Sequence, residues 1–112
     1  MISQQSCLAI LDTINNPIVF VDNEHVIRYL NKSAAKLYYD TRNYSDLVGR
    51  SIFDCHSDKS QKLIIDQYEQ LKAGENEISR TAAEKNKKII TVAVRGKDGE
   101  LLGYYERFED VS

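Results

Sequence analysis

Two extended runs, Lys88–Arg95 and Leu101–Glu109, joined by Gly96-Lys97-Asp98-Gly99, constrain this chain more than any other feature. Glycines and an Asp-Gly pair at such a junction tolerate the positive φ of a tight turn, so the two runs predict an antiparallel hairpin. Glu77–Ala82 precedes them as a further strand. Ile18–Val21 and Val26–Leu30 form an earlier pair, separated by the turn signal Asp22-Asn23. Between the two groups the period changes. Asn31 is placed to cap a short helix, Lys32–Tyr39, because its side-chain oxygen can accept from an N–H of the first turn. Residues 40–50 are polar and connecting. In 58–72, Ile64, Tyr68 and Leu71 fall at i, i+4 and i+7 of one helical face; Asp58 with Gln61 reads as a capping box and Gly74 as a stop. At the start, Cys7, Leu11 and Ile14 share a face of a helix over residues 2–15, which Pro17 ends.

Five strands with helices inserted between the second and third predict an α+β domain, a five-stranded antiparallel sheet with helices packed on one face and an N-terminal helix outside it. The expected division is an amphipathic helix at 1–15 and one domain at 16–112. A chain of 112 residues has room for one core. Its formal charge of −2 offers no field for nucleic acid or anionic membrane. No apolar run reaches the roughly 18 residues of a membrane span, and the first residues lack the basic region of a secretory signal, so the expectation is a cytoplasmic protein. Two cysteines, Cys7 and Cys55, are then expected as separate thiols.

The space between sheet and helices is where a ligand would sit. Tyr29, Tyr38, Phe53, Ile64 and Tyr104 are candidates to line it, although aromatics at these spacings also serve as plain core. Glu106 is more informative. If Tyr104, Glu106 and Phe108 face inward, a carboxylate sits beside two aromatics; if Tyr105, Arg107 and Glu109 do, it faces solvent, and alternation alone does not choose. Cys55 and His56 precede the long helix, where its N–H groups favour a thiolate and a neutral imidazole. They are candidates for a haem ligand or redox thiol, against the plainer reading of a packed Cys and a His bonded to a backbone carbonyl. No paired ligand spacing suggests zinc, no glycine pattern suggests a phosphate loop, and no nucleophile motif accompanies His25 or His56. The expectation is a protein without catalytic residues or metal ligands.

The strand ending in Asp22, the hairpin leading into Asn31-Lys32-Ser33-Ala34-Ala35, Val48-Gly49-Arg50-Ser51-Ile52, Lys97-Asp98-Gly99-Glu100, and Gly103 followed by Asp110-Val111-Ser112 stand in an order and spacing that resemble a PAS domain over residues 8–112. Cys55-His56-Ser57-Asp58-Lys59-Ser60 resembles the Cys-His-Pro-x-x-Ser stretch of one PAS subgroup, with Ser57 in place of proline, and Glu106 resembles the glutamate of that subgroup's last strand. The resemblance implies a sensory or regulatory module that acts through protein association, with a small ligand, haem included, in the core of some members. It also implies a homodimer and an effector such as a kinase, cyclase or transcription regulator, in the same chain or another.

Overall fold

β-Branched and aromatic residues recur in five short segments, and in the computed structural model these pair into one antiparallel sheet. The structure describes residues 1–41, 43–55, 57–82 and 86–110, the side chains of Cys55, Ala82 and Asp110 excepted. In chain order the elements are α1 (Gln4–Thr13), β1 (Val19–Asp22), β2 (Ile27–Leu30), α2 (Lys32–Ala35), α3 (Asp58–Lys72), β3 (Glu77–Ala82), β4 (Lys87–Arg95) and β5 (Leu101–Asp110). A π-helical turn at Lys36–Thr41 and a 3₁₀ turn at Ile52–Cys55 lie between α2 and α3. The sheet order is β2-β1-β5-β4-β3. The first and last parts of the chain therefore meet at its centre, where β1 pairs with β5.

The inner face of the sheet carries the core. Val21, Ile27 and Tyr104 pack there with Leu47, Ile52, Ile64 and Leu71. α3 lies over this face, burying Ile64, Gln67 and Leu71, and Gln67 meets Thr91 of β4 through a buried hydrogen bond of 3.1 Å. Its far end is closed by Arg95, whose guanidinium donates to the carbonyls of Leu71 at 2.8 Å and Glu75 at 3.1 Å, where the helix dipole favours a cation.

Three local features differ from the sequence expectation. The cap of α3 is Ser57, whose hydroxyl accepts from Ser60 N–H, and Asp58 is the first helical residue; Gln61 donates instead to the Phe53 carbonyl. The helix after Asn31 is α-helical for only four residues before it widens into the π-turn. In β2 a bulge sets Phe20 opposite Tyr29 but Val21 opposite Ile27. Arg28 is thereby extruded, and its guanidinium meets Asp22 at 2.7 Å.

Asn31 ties the N-terminal segment to the domain. It is fully buried. Its oxygen accepts from Ala34 N–H at 2.9 Å, capping α2, and from Ile18 N–H at 3.0 Å; its amide donates to the carbonyls of Leu11, Ile14 and Asn16. Asn16 makes a second tie, donating to the Phe108 carbonyl and accepting from Phe108 N–H, so one side chain imitates a strand partner for β5. The outer edge of β2 is partly covered as well. Val26 bridges Ser51, Ile27 N–H donates to Arg50 at 2.9 Å, and Gly49 N–H donates to Ile27 at 2.7 Å.

Candidate functional site

β1 and β5, side by side, turn alternate residues toward the chain that runs from α2 to the 3₁₀ turn. Between them lies a cavity of about 150 Å³. Pro17, Val19, Val21 and Ile27 form one wall, Tyr104, Glu106 and Phe108 a second, and Tyr38, Tyr44, Leu47 and Ile52 the third. The inward set of β5 is therefore Tyr104, Glu106 and Phe108, which decides the question alternation left open. Among the described residues Glu106 is the one acidic or basic side chain in the lining.

Glu106 is not isolated. Arg80, two strands away on β3, crosses the inner face and places Nη2 3.2 Å from Oε2 of Glu106, with about a quarter of each side chain exposed. Nη1 of the same guanidinium is buried with no hydrogen-bond partner among the described residues. The pair contacts through one nitrogen and one oxygen, so it lacks the geometry of a fork-to-fork bridge.

Tyr104 joins the cavity to a second cluster. Its hydroxyl lies 3.0 Å from Nδ1 of His25, and the His25 ring sits among Phe53 at 4.9 Å, Tyr68 at 4.7 Å and Tyr104 at 5.9 Å between centroids. His25 occupies the β1–β2 turn with φ of 63°, a left-handed conformation for a non-glycine residue, which swings its ring inward. Burial lowers its pKa, opposed by Asp22 and reinforced by Lys72. Burial raises the Tyr104 pKa, with Glu106, Tyr68 and Asp22 acting in the same direction, so the phenol stays protonated. Tyr68 also donates to Asn23 at 3.0 Å, and Asn23 to the Leu101 carbonyl at 2.7 Å, so the turn is held from both α3 and β5.

The residues expected at the site divide accordingly. Tyr38, Tyr104 and Glu106 line the cavity; Phe53 packs against His25 with the rings tilted by 42°; Ile64 of α3 lies in the core. Tyr29 is turned the other way by the β2 bulge, and its hydroxyl donates to Asp12 of α1 at 3.0 Å, where burial and that carboxylate push its pKa up to about 12. The Cys55 side chain and His56 lie outside the described residues, as do Val111 and Ser112. His25 is the addition that sequence reading missed. Its only signal was a histidine next to a turn.

A family profile described as a PAS domain matches residues 8–112. The chain belongs to the PAS family. Solved structures share the fold of this PAS domain. The C-terminal domain of a Streptococcus mutans protein superposes with a TM-score of 0.79 at 22% identity, over 99% of this chain and 87% of that one. The PAS domain of a Colwellia psychrerythraea protein gives 0.68 at 16% identity, over 95% and 94%. The Aer2 receptor of Vibrio cholerae, described as a dual PAS-heme oxygen sensor, gives 0.58 at 19%, over 87% and 95%. No functionally curated protein matches the sequence.

Proposed function

We propose that this PAS domain is a sensory and regulatory module for signal transduction, in which a small molecule in the core cavity shifts the balance between two conformations that an associated partner reads. The cavity carries this reading. It is apolar on most sides, has a small number of polar groups, and touches both the β5 strand and Pro17, which adjoins Asn16. The proposed arrangement treats residues 1–15 as a connector and 16–112 as the sensing unit. α1 buries none of its residues and exposes Leu8 and Ile10, which supports packing on a second copy or on an effector such as a kinase, cyclase or transcription regulator.

The reading is non-catalytic: Glu106 is ion-paired with Arg80, and Tyr104 is held protonated by burial. It also places the domain in the cytoplasm, with Cys7 a free thiol. No helix among the described residues is long and apolar enough to cross a membrane. Ser57 caps α3 where the subgroup's stretch has proline, so the proposed subgroup assignment rests on Cys55, His56, Ser60 and Glu106.

Haem does not fit the cavity described. About 150 Å³ is the size of a cavity that admits benzene, far below a porphyrin, and the described lining offers neither imidazole nor thiolate.

The test pairs native mass spectrometry of freshly purified protein with thermal-shift screening of the wild type and Val19→Phe, a substitution that fills the cavity. A bound small molecule, or a shift lost in Val19→Phe, is expected. Unchanged shifts in the filled variant would remove the cavity as the sensing site.

A further inference from the structure

We infer that Asn16 is a clasp between the cavity and the N-terminal helix, which opens when the cavity fills and so loosens α1. The inference rests on the sensory reading, names the part that moves in it, and can be tested without a ligand.

The strand register explains why a side chain is used here. β1 pairs with β5 from Val19 opposite Glu106 to Asp22 opposite Gly103. Continued by two residues on each strand, that register sets Pro17 opposite Phe108. Proline has no N–H, so the backbone alone cannot extend the ladder. The Asn16 amide makes both missing bonds, donating to the Phe108 carbonyl and accepting from Phe108 N–H at 2.9 Å. Pro17 and Phe108, on either side of this splice, both line the cavity.

The clasp is the weak seam of that wall. Val19, Val21, Tyr104 and Glu106 belong to the backbone ladder, whereas the end at Phe108 is held to Asn16 by one part-buried side chain. A close-packed interior compresses little, so volume added inside is taken up where a wall can give.

Opening the clasp reaches α1 through Asn31. The Asn31 amide holds the carbonyls of Leu11, Ile14 and Asn16 together, and the Ser33 hydroxyl donates to that of Asn15. Movement of Asn16 away from β5 pulls one member out of this set. Asp12 adds a further tie, accepting from the Tyr29 hydroxyl and Lys32 N–H. α1 is ten residues long and buries none of them, so it has little to hold it once these bonds loosen.

The experiment is amide hydrogen exchange of the full chain with the cavity filled by Leu47→Phe, from the wall formed by Tyr38, Tyr44, Leu47 and Ile52. α1 amides are expected to exchange at least about fivefold faster than in the wild type, the low end of coupling between sites. Asn16→Ala cuts the clasp but keeps the carbonyl that Asn31 binds, so the effect of Leu47→Phe on α1 should vanish in the double variant. A purely structural role for Asn16 would instead make the two losses add. Ile52→Phe is a second filled variant, and the protection of β4 checks that each chain is folded. Unchanged α1 exchange in the filled variants would overturn the clasp and leave the cavity reading standing. An α1 response that survives Asn16→Ala would route through other contacts and overturn it as well. So would loss of β4 protection along with α1, which marks general unfolding rather than selective release. Failure to find any bound small molecule would count against the sensory reading and leave the exchange result as it is.

Discussion

Replacing Asn31 by alanine tests whether one side chain joins the N-terminal helix to the sheet. The native amide satisfies two backbone N–H groups and three carbonyls from a fully buried position. Loss of the α2 cap costs about 1 kcal/mol. The Ile18 N–H, buried and left without its acceptor, adds about 1–3 kcal/mol. The carbonyls of Leu11 and Ile14 lie on an exposed helix and recover water, so they add little. The sum is about 2–4 kcal/mol, a large share of the 5–15 kcal/mol typical of a domain. Urea unfolding followed by circular dichroism reads it directly. Asn31→Asp separates the two halves of the role: it keeps the acceptor that caps α2 but turns a carboxylate oxygen toward three carbonyls. Hydrogen exchange should then show α1 amides deprotected while α2 and the sheet stay protected. A loss below about 0.5 kcal/mol in Asn31→Ala, the level of an ordinary surface change, would refute the argument. So would α1 protection in Asn31→Asp equal to that of the wild type.

Gly103 has φ of 152°, and a Cβ there would stand 2.2 Å from the Val21 carbonyl oxygen. Gly103→Ala should cost about 1–3 kcal/mol by forcing β1 from β5, and an unchanged urea midpoint would disprove the close approach. The His25 pKa lies below its ordinary 6.5, with burial as the main cause. A base depressed in the folded state stabilises the fold above its unfolded value and loses that contribution as pH falls through 6.5 toward the folded value. Stability should fall over that window in the wild type and less in His25→Asn, a residue that tolerates the left-handed turn; parallel pH profiles would sink this. Thr91→Val should cost about 1–3 kcal/mol by orphaning buried Gln67, whereas Thr91→Val with Gln67→Met should recover most of it. Additive losses in a double-mutant cycle would show that the buried bond does not matter.

The order of strands and helices was legible because each depends on local chemistry: the Gly96–Gly99 turn, the Asn31 cap, and the spacing of Ile64, Tyr68 and Leu71. The cavity was legible only in part. Tyr29 follows Ile27 by two, so strict alternation puts both inside, and only the bulge at Arg28 reverses Tyr29. Nothing in the composition marks that bulge. Glu106 faced two equal possibilities until the pairing of Val19 with Glu106 and Val21 with Tyr104 set the inward row. His25 was hidden because its direction depends on a positive φ, and a turn sequence does not announce which residue adopts it. The Asp58 cap was misplaced by one residue because Ser57 and Asp58 are both good caps, and the hydroxyl of Ser57 reaches Ser60 N–H.

The covered edge of β2 has a consequence for assembly. A sheet with two open edges can add strands on either side and grow into a filament without limit. Here Gly49, Arg50 and Ser51 occupy part of the template, at Val26 and Ile27, while β3 is the other outer strand of the sheet and has β4 as its one strand neighbour among the described residues. Joining two such sheets edge to edge through β3 uses up the template of both. Backbone pairing limited to that edge would close on a two-fold symmetric pair and stop.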